Sequence, residues 1–210
     1  LAYVQGGGVN RDILNVAVEE GIDQEAVSEI RDAIAFFGEE ADFHPVPDRG
    51  PQASILLLGF TSVAFIFGGA FLKKLGDQAA EDCYPHIKRG LLGVYKKYFG
   101  PGARYQVKIV SSSEGKSPET PYSLILALYC VGRNNERVKF LYRTDWSQEE
   151  FEEATDRYLE SMVDFVAQGQ GVVADLILEE PVNVQPYLIA MDIGAGRLVR
   201  VNALPDNVGI

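Results

Sequence analysis

"ASILLLGFTSVAFIFGGAFLKK" (Ala53–Lys74) runs for twenty residues without a charged side chain and then closes on two lysines. Two folds follow from two readings of it. As one helix it would reach about 30 Å, the thickness of a membrane's hydrocarbon core. Thr61 with Gly68 and Ser62 with Gly69 recur at heptad spacing, and such small residues let a second backbone approach, in a membrane or in a tight soluble core. The flanks oppose a span. Lysines after the run would keep the C-terminal part in the cytoplasm and send the first fifty residues outside, leaving their apolar faces uncovered. The run is therefore expected to be buried, as the start of a very apolar helical segment over 53–99.

Around it the pattern predicts an α+β domain. "ILNVAV" (Ile13–Val18) is a short, buried, partly β-branched strand. Asp23 is an N-cap for a helix whose apolar stripe runs through Ala26, Ile30, Ile34 and Phe37 until Gly38 stops it. An edge strand is expected near Phe43, before a proline-rich connector. From Arg104 the period becomes two, and "RYQVKIV", "YSLILALYCV" and "RVKFLYR" form an antiparallel meander over 104–143. Ser147 and Glu150 make a capping box for a long helix, beneath which Trp146 packs as a staple. A C-terminal hairpin closes the chain. The expected architecture is an antiparallel sheet, meander plus hairpin, against helices. A core domain would cover 1–170, and a strand annex over 171–210 would pack on it.

Composition narrows the function. Thirty acidic against nineteen basic side chains give a net charge of −11, which argues against nucleic acid as a partner. Two cysteines and no signal-peptide pattern fit a cytoplasmic location, with membrane association as the alternative. Cys83 and His86, three apart in "DCYPH", are weak candidates for a thiolate–imidazole pair, weakened further by Pro85 between them. His44 lacks a second ligand at metal spacing, and Glu39, Asp42 and Asp48 read as a solvated acidic stretch, so no metal site is expected. "GGGVNRD" and "DIGAGR" match no nucleotide fingerprint, and no cofactor is expected.

Without a convergent catalytic set, the sequence favours a non-enzymatic interaction or regulatory module acting through protein contacts and self-association as a homo-oligomer. Interaction residues are Lys88, Arg89, Lys96 and Lys97 on a basic amphipathic helix, and Trp146 if it is exposed. The acidic face of the helix starting at Ser147 is a complementary partner for that helix, within one chain or between copies. An alternative is a membrane-associating effector whose segment 53–99 inserts into a membrane or lies on an anionic lipid surface. A further one is an enzyme with Cys83 and His86, or carboxylates, assembled from distant segments.

Overall fold

The middle of the apolar run is a strand and its end opens a helix. The computed structural model describes residues 10–47, 61–77, 80–105, 120–182 and 184–202, and in it Val63–Phe67 forms β3 inside a seven-stranded sheet. β3 runs antiparallel to β1 (Leu14–Glu19) and parallel to β4 (Tyr122–Val131). A strand with a neighbour on each side and cover on each face has no wet side, so its period of two disappears. That is why "VAFIF" resembles the inside of a helix. The expected apolar helical segment over 53–99 is corrected accordingly. Gly68 ends the strand, and two amphipathic helices follow, α2 (Gly69–Asp77) and α3 (Ala80–Tyr98), the second continuing through Pro85.

The expected antiparallel sheet is corrected too. The order is β2-β1-β3-β4-β5-β6-β7, with β2 at Ala41–Val46, β5 at Arg137–Arg143, β6 at Tyr187–Asp192 and β7 at Arg197–Arg200. The pairs β1/β2, β3/β4 and β5/β6 are parallel, and β1/β3, β4/β5 and β6/β7 antiparallel. Parallel neighbours require a crossover. α1 (Gln24–Ile34) makes the first, α2 with α3 the second, and α4 (Gln148–Val163) with α5 (Val172–Glu179) the third. The β4–β5 and β6–β7 hairpins are present, but β4 has β3 and not a 104–110 strand as its other neighbour. Arg104 and Tyr105 lie in no strand; 106–110, residues 53–60, Asp48 and the first glycine cluster fall outside the described residues.

Alternation along the strands sorts two faces. Val16, Phe65, Leu128, Phe140 and Ile189 join the helices in the main core, whereas Ala17, Ala64, Ala127 and Tyr129 form a smaller cluster of strand residues on the opposite side. Close helix packing is possible because Gly90 and Gly93 of α3 meet Ala33 and Glu29 of α1, where an added Cβ would come within 3.1 Å and 2.5 Å. Asp23 accepts from the Glu25 and Ala26 amides, and the Ser147–Glu150 capping box is formed. α4 ends in a π turn, Asp164–Gln168, closed by Gly169 in the left-handed region. Among the described residues no single helix is long and apolar enough to cross a membrane, and α4 with α5 reaches that length only across a 75° bend.

Candidate functional site

A crevice of about 260 Å³ opens at the carboxyl ends of the parallel pair β3/β4, lined by Arg11, Arg133, Arg137, Asn10, Asn135 and Tyr129 among others. This end of a parallel pair is where α/β sheets hold ligands, because the strands stop there while the connecting loops diverge.

One wall is the segment before β1. Gly68 and Gly69 donate to the carbonyls of Ile13 and Arg11 at 3.0 and 2.9 Å, and Phe71 donates to Asp12 at 2.9 Å. The Gly69 and Phe71 amides at the start of α2 are thereby occupied by peptide carbonyls, which leaves the side chains as the main donors to an anion in the crevice. Asn15, buried to 1% exposure, fixes the same segment from below: its Nδ2 donates to the carbonyls of Asn10 at 2.7 Å and Ile13 at 3.1 Å. Its Oδ1 lies 3.1 Å from Nε2 of His44, which also sits 3.5 Å from Asp42. Arg11 is carried on this anchored segment at the crevice rim.

The other wall is the β4–β5 hairpin loop. Gly132 donates to Glu136 O at 2.8 Å, Asn135 takes a φ of 67°, and the Glu136 carboxylate accepts from the Asn134 amide and side chain at 2.9 Å. Glu136 thus serves the turn, while Arg133 and Arg137 border the cavity. Arg133 donates to the Ala167 carbonyl; Arg137 donates from its backbone and Nε to Gln185 Oε1 at 3.0 and 3.2 Å.

None of these three guanidiniums has a carboxylate partner among the described residues, and no Asp or Glu lines the crevice. Elsewhere among the described residues Lys74, Lys88, Lys97, Arg104, Arg143 and Arg157 each lie within 3.4 Å of one, whereas Arg31, Lys73, Arg89, Lys96, Arg197 and Arg200 form no such pair; what sets the crevice apart is that three unpaired guanidiniums line one cavity. Within the crevice, burial pushes the Tyr129 phenol and the Cys130 thiol far above their ordinary values, so both stay protonated at neutral pH. On the neighbouring strand and the same face, Lys139 lies 5.6 Å over the Tyr129 ring, and burial pushes its ammonium down to about 7.

The residues singled out from sequence lie elsewhere. Cys83 is buried in the main core, where desolvation raises its thiol, and His86 stacks on Phe36 at 3.8 Å with Arg89 3.1 Å from its Nδ1. Lys88 pairs with Asp156 of α4 at 2.9 Å, the intrachain form of the helix complementarity. Lys97 is surrounded by Asp23, Glu25 and Glu29; burial disfavours its charge, but these carboxylates outweigh that and raise its affinity for the proton. Lys96 is exposed, and Trp146 is buried, its carbonyl accepting from Tyr95 at 2.8 Å. Among the described residues no three His, Cys, Asp or Glu are grouped to hold a metal ion.

Sequence reading passed over Arg11, Arg133 and Arg137. Their signal was arginine beside turn formers, in "VNRD" and "GRNNER", which becomes meaningful only once β1, β3, β4 and β5 are adjacent. No protein-family model, curated protein or solved structure matches the chain.

Proposed function

We propose that this protein is a regulatory binding module that takes a small anionic group, phosphate or carboxylate, in the β3/β4 crevice and passes that state on through protein contacts. The observation that supports this most is the lining itself: three arginines, none with a carboxylate partner among the described residues, in a chain of net charge −11. A guanidinium presents a planar fork of donors that matches two oxygens of such a group, and charge-assisted bonds of this kind are the strong ones. Binding is favoured over turnover because the other titratable groups there, Tyr129 and Cys130, are held protonated and supply no nucleophile.

The test is calorimetric titration of the full chain with inorganic phosphate. Losing one charge-assisted bond costs about 1.5–3 kcal/mol, so Arg11→Gln and Arg137→Gln should each weaken binding by about 10- to 150-fold. Arg31→Gln, whose guanidinium lies over the Phe43 ring outside the crevice, should leave it unchanged. No phosphate binding by the parent chain, or binding by both crevice variants as tight as the parent's, would remove the reading.

The protein-contact part draws on α5, where Val172 and Leu178 are 51% and 76% exposed, followed by Val184 at 60%. Leu178 is the most exposed large apolar side chain among the described residues and is the contact to test. Sedimentation velocity should show concentration-dependent self-association that Leu178→Glu abolishes; a monomer at every concentration would refute it.

A further inference from the structure

A second cavity, of about 490 Å³, lies between α2 and the π turn that ends α4, and it shares Gly69 and Arg133 with the arginine crevice. Arg133 leaves the β4–β5 loop, passes the Gly169 backbone and donates to the Ala167 carbonyl, so its side chain borders both spaces. The crevice alone is smaller than a typical small-molecule site of roughly 300–1,000 Å³; joined across Arg133, the two spaces fall inside that range.

The chemistry of the second cavity differs from that of the first. Its floor is closed and apolar: a Cβ on Gly76 would come 2.7 Å from Val163 Cγ1, and Val166 stands beside it. Its rim is polar of mixed charge, with Lys73, Asp77 and Gln168. Asp77 forms no ion pair among the described residues, and its carboxylate repels a second anion while accepting hydrogen bonds from hydroxyl groups. Gln168 already receives the Gln170 amide on its Oε1 at 2.7 Å, which leaves its own N–H groups to donate to a hydroxyl oxygen.

The geometry points to a phosphate monoester of a polyhydroxylated alcohol as the ligand, with its phosphate among Arg11, Arg133 and Arg137 and its hydroxyl-bearing part across Arg133 against Asp77 and Gln168. This rests on the anion-binding reading and adds the ligand class to it. A free sugar phosphate and the sugar phosphate of a nucleotide share this chemistry.

The full chain is titrated with inorganic phosphate, ethyl phosphate, ribose 5-phosphate and adenosine 5′-monophosphate in one buffer. Ethyl and ribose esters carry the same charge and differ in hydroxyls, so a hydrogen bond to a charged group should make the ribose ester about tenfold or more tighter. Asp77→Ala and Gln168→Ala, both exposed positions, should erase that difference and leave ethyl phosphate affinity as it was. Equal affinity for the two esters, or a difference that survives both substitutions, overturns the ligand class while leaving the anion site standing. No binding of inorganic phosphate overturns both. Tighter binding of adenosine 5′-monophosphate than of ribose 5-phosphate assigns the nucleotide as the source, and equal or weaker binding assigns the free sugar phosphate.

Discussion

Gly68 and Gly69 are chemically identical neighbours, and replacing each by alanine should have opposite consequences. At Gly68 a Cβ would lie 2.5 Å from the Ile13 carbonyl oxygen, 2.6 Å from that of Arg11 and 2.6 Å from the Asp12 carbonyl carbon. All three are backbone atoms, so no rotamer change relieves the clash and residues 11–13 must move. Movement breaks or lengthens the bonds from Gly68, Gly69 and Phe71. At about 1 kcal/mol net per bond the loss is about 3 kcal/mol, which agrees with the roughly 1–3 kcal/mol typical of overpacking. The φ of Gly68 lies outside the left-handed region, so this cost is steric and not conformational. At Gly69 the added methyl meets only Val166 Cγ1, at 3.8 Å, and it sits at a helix start where alanine is the better helix former. With a urea slope of roughly 1–3 kcal/mol/M, Gly68→Ala should lower the unfolding midpoint by at least about 1 M and weaken phosphate binding through Arg11. Gly69→Ala should leave the midpoint unchanged or slightly raised. A Gly68→Ala midpoint equal to that of Gly69→Ala would refute the argued contact between the segment before β1 and the start of α2.

Two further predictions concern the interior. The Tyr158 hydroxyl donates to Leu141 O of β5 at 2.6 Å and accepts from Met191 N of β6 at 2.8 Å, so Tyr158→Phe strands two buried backbone groups and should cost about 2–4 kcal/mol in urea unfolding; a loss below about 1 kcal/mol would mean the site relaxes or admits water. Burial pushes Lys139 down to about 7 from an ordinary value near 10.5, so between these the unfolded chain holds more protons at this site and its contribution to stability rises with pH. Above about pH 8 the buried Cys130 and Tyr129, held protonated in the fold, pull the other way, so the readout is a difference: from about pH 7 to pH 9 the thermal midpoint of the parent should climb relative to that of Lys139→Met, and parallel profiles for the two proteins would show that Lys139 is protonated in the fold.

Local chemistry was legible where a signal is complete within a few residues. Asp23 and the Ser147–Glu150 box cap the helices they were expected to cap. What stayed hidden was pairing. β3 carries no alternation because both its faces are covered, and nothing in "VAFIF" says that its neighbours are β1 and β4. Reading 53–72 as helix leaves β4 and β5 only 104–110 for a third strand, and an antiparallel sheet follows from that. The site failed for the same reason. Arg11 and Arg133 are far apart in sequence and become neighbours of one crevice only through the β1–β3–β4 order, whereas Cys83 and His86, close in sequence, go separate ways, the first into the main core and the second onto the Phe36 ring.

The net charge that argued against nucleic acid and the arginine crevice are compatible because they act over different distances. At physiological ionic strength charges are screened within about 8 Å, so a group seated between Arg11, Arg133 and Arg137 interacts with those three cations far more than with carboxylates on remote helices. A polyanion differs, since a phosphate backbone continues past the crevice and meets a surface on which α4 alone carries Glu149, Glu150, Glu152, Glu153, Asp156 and Glu160. Under the proposed binding the acidic surface therefore works as a length filter: added salt should weaken the binding of a phosphate monoester but relieve the exclusion of a long oligonucleotide. The two salt dependences should have opposite signs, and a common sign would mean that the crevice and the surface do not act separately.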